Sequence, residues 1–217
     1  MGASPNSLPT VAARLHQDHL NFARLLNVLG RQQRLLRAGD PINWDIERGV
    51  VAFYRNYFEK FHHRVEDDIY DLVQQYDPAT ANRVRAIHRE HKDCSELLQI
   101  FEGAVSLISG SRPTTAQEDG RPKVFYETKV LDHYCSQLES FVSREREHMS
   151  NEETLLHRAV KHLSLDDWRG LNERLSEGDD DLFGKKQTAR FDRLRDAILA
   201  ADNPAHGEKD DHSTSNG

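Results

Sequence analysis

No apolar run in the chain approaches the roughly 20 residues that a membrane-spanning helix needs, so no membrane span is expected. Concentrated basic patches are also missing, and the formal net charge is −7. That balance excludes a surface built for nucleic acid or anionic lipid. The opening MGASPNSLPT has neither a basic n-region nor an apolar h-region, so no secretory signal is expected. Gly2 follows Met1, but Asn6 stands where a myristoylation signal carries Ser or Thr. Cysteine is scarce: Cys94 and Cys135 cannot staple 217 residues together. Reduced thiols on helices and a cytoplasmic location follow as the expectation. No nucleophile–base constellation and no phosphate-binding glycine loop occurs.

Proline and glycine are nearly absent from four long stretches, and there apolar residues recur at helical spacing. The first runs from about Leu8 to Arg37, with Val11, Leu15, Phe22, Leu25, Leu26 and Leu29 on one stripe, and stops at Gly39 and Pro41. The others cover about Asn43 to Tyr76, Ala79 to Leu107 and Lys123 to His162. Short connections after the first two favour antiparallel neighbours. The expectation is an all-α, up-down-up-down four-helix bundle over residues 8–162. The stretch Ser109 to Pro122, rich in Gly, Ser, Thr and Pro, reads as an exposed loop. Residues 163–201 read as an extension of short helices packed on the bundle, with an acidic loop from Glu177 to Gly184. Residues 202–217 read as a disordered tail.

Histidine is the residue in excess: twelve in all, ten of them before residue 163. Their placement repeats. LHQDHLNFARLLNVL (Leu15 to Leu29) and IHREHKDCSELLQIF (Ile87 to Phe101) both carry His-x-acid-His, followed by Leu-Leu. The second helix has FHHRVEDDIYDL and the fourth EHMSNEETLLHR, each with His-x-x-x-Glu followed by an acid. Two matching αα-hairpins related by a pseudo-twofold axis are the natural arrangement.

Residues four apart on a helix lie about 40° apart in projection and one turn apart along the axis. His62 and Glu66 therefore point one way from the second helix, and His148 and Glu152 from the fourth. Two such pairs facing each other can hold two metal ions, each carboxylate bridging them, with His19 and His91 adding one nitrogen each. Imidazole with carboxylate suits iron, zinc or manganese better than copper(I) or calcium. One His-x-x-x-Glu alone is weak, because surface helices pair His with acid by chance. Two copies flanked by Leu, Phe, Val and Ile are harder to dismiss, since buried charge without a partner is costly.

Taken together, the order His, His-x-x-x-Glu, His, His-x-x-x-Glu resembles the hemerythrin-like (HHE) cation-binding domains, including bacterial and ubiquitin-ligase members. HHRVEDDIYDL looks like that family's second-helix stretch and REHMSNEETLL like its fourth, while Asp166 to Gly184 resembles a tail common among bacterial members. The resemblance implies a non-haem di-iron site, with His19 and His62 on one ion, His91 and His148 on the other, and Glu66 and Glu152 bridging. An oxo or hydroxo bridge would complete the pair, and zinc or manganese are possible substitutes. Two six-coordinate irons then keep about two of some twelve positions open for a small ligand. The implied role is to bind or sense oxygen, nitric oxide, peroxide or iron itself, as a monomer or weak homodimer. Two departures set the chain apart from the oxygen-carrying hemerythrins: His88 and His91 are three apart rather than four, and Glu152 follows His148 by four.

His63 and His88 are possible additional ligands or supports for ligands; His16, Asp67 and Glu153 fit solvated or supporting places. Tyr54, Tyr57, Tyr126 and Tyr134 are candidates to hydrogen-bond a metal-held ligand, with buried packing the plainer role. Cys94 reads as a core thiol. A di-iron oxidase or peroxidase of the ferritin-like type is the alternative, because Glu59 and Glu145 each precede a histidine by three. The first helix opposes it: it contains no Glu, and its only acid, Asp18, is expected to point away from the site. A third possibility is an interaction module with a structural metal.

Overall fold

Residues 9–177 and 185–202 are described by the computed structural model. The tail 203–217, most of the expected acidic loop (178–184) and residues 1–8 lie outside the described residues. Four long helical segments form the bundle: α1 (Thr10–Arg37), a composite second segment, α4 (Ala81–Gly110) and α5 (Thr128–His162). The composite segment comprises α2 (Trp44–Phe53), a π-helical stretch (Tyr54–His62) and α3 (His63–Tyr76). Two shorter helices follow, α6 (Leu165–Glu177) and α7 (Lys185–Ala201).

The order in which each segment visits the core gives the up-down-up-down course. Val11, Ala12 and Leu15 of α1 lie in one apolar cluster with Ile69, Val73, Val84, Ile87, Leu155 and Leu156. Phe22, Leu25 and Leu29 lie in a second, with Phe58, Leu98, Phe101, Leu138 and Phe141. So α1 and α4 run from the first cluster to the second, and the other two segments run back. Between the clusters lies a buried polar layer: Asp18, His19, His62, His63, Glu66, His91, Glu145, His148 and Glu152. A burial cost of several kcal/mol per unpaired ion makes such a layer untenable unless its members neutralise one another or hold a cation.

Helix α1 ends in a glycine cap. Asp40 N–H donates to the Leu35 carbonyl (2.9 Å) and Gly39 N–H to that of Leu36 (3.0 Å). Gly39 takes φ +76°, which only glycine adopts freely. The Asn43 side chain caps α2 by accepting from Asp45 N–H at 3.0 Å.

Two departures from the sequence expectation concern the backbone. Where an exposed loop was expected, Thr114–Glu118 (β1) and Arg121–Phe125 (β2) pair as an antiparallel hairpin, and α5 starts at Thr128 rather than near Lys123. The cause is Asp119-Gly120, which adopt φ 51° and 74° in a two-residue turn matched to strand twist. Val124 N–H anchors the hairpin on the Gly39 carbonyl at 2.8 Å. The second helix is also not uniform: over nine residues it widens to π spacing, closing with His63 N–H on the Phe58 carbonyl.

Trp168 and Leu171 of α6 join the first apolar cluster. Phe191 and Ile198 of α7 join the second. Asp202 accepts from Gln32 at 2.7 Å and pairs with Arg31, tying the end of α7 to α1.

Candidate metal centre

Each bundle segment delivers one or more side chains to the polar layer. The π stretch ends at His62, and π insertions frequently mark functional positions. On an ideal α-helix consecutive side chains diverge by about 100°; here His62 and His63 are nonetheless both buried. Phe58 stacks on the His62 ring (centroids 4.1 Å apart) and Phe22 packs on Phe58 (4.4 Å), so aromatic contacts fix His62 in place.

The donors fall into two groups of four, each with ligand atoms within 4.8 Å of one another: His19, His62, Glu66 and Glu152; and His63, His91, His148 and Glu152. Within the first, His19 Nε2 lies 3.3 Å from Glu66 Oε1, and His62 Nε2 lies 3.4 Å from the same oxygen. Within the second, Glu152 Oε1 is 2.9 Å from His91 Nε2 and 2.8 Å from His148 Nε2. Both carboxylates span the groups. Glu152 turns its other oxygen to His19 Nε2 at 3.3 Å, and Glu66 turns Oε2 toward His91 Nε2 at 3.9 Å.

Several of these atoms approach without hydrogen-bonding. Glu66 Oε2, Glu152 Oε2, His148 Nε2 and His63 Nε2 are buried and unsatisfied. A buried polar atom left unsatisfied costs about 1–3 kcal/mol. Glu145 Oε1 is a fifth in the layer; the four above, converging from α3 and α5, are what donors to a common cation look like. The residues present therefore fit a pair of metal ions.

Behind the centre runs a second set of contacts. His62 Nδ1 faces Asp18 (3.3 Å), His148 Nδ1 faces Glu90 (3.0 Å), His91 Nδ1 faces Asp67 (3.1 Å) and His19 Nδ1 faces Glu153 (2.9 Å). A carboxylate on Nδ1 fixes the tautomer with its proton outside and leaves Nε2 as an inward lone pair, the arrangement usual behind metal-binding histidines. Each acid has a further partner. The Tyr57 hydroxyl donates to Asp18 (2.7 Å), Asn151 donates to Glu90 (3.2 Å), and His16 and His88 approach Glu153 (2.8 Å) and Asp67 (3.1 Å). The pattern obeys the sequence repeat. The acid before His19 and the acid before His91 serve the histidine of the next segment, while the acid after each Glu serves a histidine of the other hairpin.

Without an ion, protons compete for the inward nitrogens. Burial opposes charge on His91 and His148, yet contacts with Glu152 and with Asp67 or Glu90 carry their pKa values up to about 9 and about 10. Burial works against Glu152 too, but the surrounding histidines hold its carboxyl well below the usual range. His63 goes the other way, pushed down by burial and by His91.

All six expected ligands, His19, His62, Glu66, His91, His148 and Glu152, come together in the layer, and His63 joins them. His88 lies outside both groups, against Asp67. Asp18 does not point to solvent: it is buried behind His62 and held by Tyr57, which spends its hydroxyl there. Tyr54 donates to Glu145 at 2.5 Å, Glu59 lines an outer cleft, and neither glutamate lies in a donor group. Sequence reasoning missed Glu90 and Tyr70, whose hydroxyl donates to Glu66 Oε1 at 3.0 Å. Tyr70 follows Glu66 by four residues, so helical spacing was the available signal. Cys94 and Cys135 are both buried and unpaired. No described helix is long and apolar enough to cross a membrane.

The family model for the hemerythrin HHE cation-binding domain matches residues 10–160, which takes in all four bundle segments and every donor named above. The chain belongs to that family, and its histidine and glutamate groups are placed for metal binding. No curated protein and no solved structure matches the chain.

Proposed function

We propose that this protein is a non-haem di-iron protein whose centre binds or senses a small ligand, namely oxygen, nitric oxide or peroxide. The observation that carries the reading is that Glu66 and Glu152 each offer one oxygen to either donor group, as bridging carboxylates must. His19 and His62 would hold one ion, and His91 and His148, with His63, the other. Imidazole and carboxylate together favour iron, with zinc or manganese able to substitute. The ions would supply reversible binding of a small ligand or one-electron redox chemistry. Five histidines, two bridging carboxylates and an oxo or hydroxo bridge would leave about one of some twelve positions free, on the two-histidine side.

The chain's own residues do the rest. Asp18, Asp67, Glu90 and Glu153 keep protons on the outer ring nitrogens, Tyr70 steadies Glu66, and the apolar clusters above and below exclude water. A ferritin-like oxidase is less well supported, since Glu145 is engaged by Tyr54. A soluble cytoplasmic monomer or weak homodimer suits the role. The test is metal content and near-ultraviolet absorbance of protein purified without a metal-binding tag. About two irons per chain with oxo-bridge charge-transfer bands support the reading. Protein that stays metal-free after iron-supplemented expression would sink it and favour an interaction module.

A further inference from the structure

Four of the five inward histidines have a carboxylate on Nδ1. His63 does not: it makes no ion pair or hydrogen bond with any acid among the described residues, and its Nε2 is unsatisfied. Its contacts are ring contacts, stacked on His91 (centroids 4.1 Å, planes 11° apart) and edge-on to His148 (5.4 Å). It also breaks the internal repeat. His62-His63 in the second segment corresponds to His148-Met149 in the fourth, so without His63 the centre is symmetric, with two histidines on each side.

His63 further differs in where it sits. A cleft of about 440 Å³ between the second segment and α4 reaches it, with His63 and His91 as its buried lining. Arg64 and Lys92 line the same cleft together with Glu59, Asp67 and Glu96, and Ser95 stands on its wall, so the attraction for an anion has to come from the metal layer and not from the cleft.

We infer that His63 is a displaceable ligand, and that the cleft is the path by which a small monoanion takes its place. A histidine without a backing carboxylate is a poorer donor than its backed neighbours. It is therefore the one to yield. Two ferric ions outweigh the two bridging carboxylates and an oxo bridge, so the donor set itself is positive and an anion gains where a neutral imidazole leaves. One imidazole nitrogen is released, one anion donor atom binds, and no oxidation state changes. This rests on the metal centre proposed above and places a second ligand position on the opposite side from the two-histidine ion.

The test is azide titration of the iron-loaded protein, followed by the azide charge-transfer band, with metal counted beforehand. Wild-type protein that holds no metal would overturn the underlying reading, and that count identifies it before azide is added. His63→Ala is expected to keep two ions and to bind a second azide, beyond the one taken by the open position, about tenfold tighter, because no side chain must first be displaced. Loss of one ion from His63→Ala would make His63 an obligatory ligand and overturn the inference, as would an unchanged affinity for the second azide. Ser95→Trp, which leaves the donors intact, is expected to slow azide association about tenfold with little change in affinity. An unchanged association rate would show that the cleft is not the path.

Discussion

His19 and His62 bring their Nε2 atoms within 2.9 Å of each other while each ring's Nδ1 faces a carboxylate. Backed in this way, both rings present lone pairs inward, and two lone pairs at that distance repel unless a proton or a cation lies between them. A bound ion relieves that conflict and stabilises only the folded state. Stripping the metal with a chelator should lower the melting temperature by about 10 °C, as expected for a loss of about 4 kcal/mol in a chain of this size. Coincident melting curves with and without metal would refute it.

Asp18 and Glu90 occupy equivalent places in the repeat, behind His62 and His148. Asp18→Asn and Glu90→Gln should each weaken metal affinity by about 10–100-fold without removing a donor. His88→Ala, which removes approaches to Asp67 and Asp71 but no member of either donor group, should retain both ions. Competition against a chromophoric chelator measures all three. An effect of His88→Ala as large as that of Glu90→Gln would place His88 on the metal.

Much of this was legible in the residues. Helical periodicity with Gly and Pro confined to the ends gave the all-α bundle, and the repeated His and His-x-x-x-Glu gave the family. Contacts made across helices were not legible. Asp18 directly precedes His19, and sequence proximity suggested that it turns away from the site; it serves His62 on the next segment instead. His63 could be read only as a possible additional ligand, because ideal helix geometry sends adjacent side chains apart and periodicity gives no sign of the π stretch before it. The Asp119-Gly120 turn was a readable hairpin signal that the surrounding polar composition masked.

Glu47 on α2 is fully buried beside Tyr134, away from the metal layer. Burial raises its pKa from 4.5 to about 8, with the Tyr134 hydroxyl tempering the rise. The unfolded chain sheds this proton from about pH 4.5, whereas the folded chain keeps it to about pH 8. The native state therefore binds more protons across that window, and this group's contribution to stability falls as pH rises through it. Glu47→Gln should flatten that slope and gain on wild type by about 2–4 kcal/mol at pH 8 relative to pH 4.5. Urea unfolding at the two pH values measures the difference. Parallel pH dependence for the two proteins would mean that Glu47 is solvated.

Gly39 links the helix cap to the hairpin. At φ +76° an alanine would be strained, and its Cβ would stand 3.0 Å from Phe125 Cε1 and 3.3 Å from Cζ. Phe125 is partly exposed and can swing aside, so the strained backbone sets the larger share of the penalty. Gly39→Ala should cost about 1–2 kcal/mol, read as a lower urea midpoint with an unchanged slope. Metal content should not change, because the cap and hairpin touch the second apolar cluster and no donor. If Gly39→Ala lost metal while staying folded, the end of α1 would have to be coupled to His19 through the helix, and the apolar cluster between them would not be the insulating layer its packing implies.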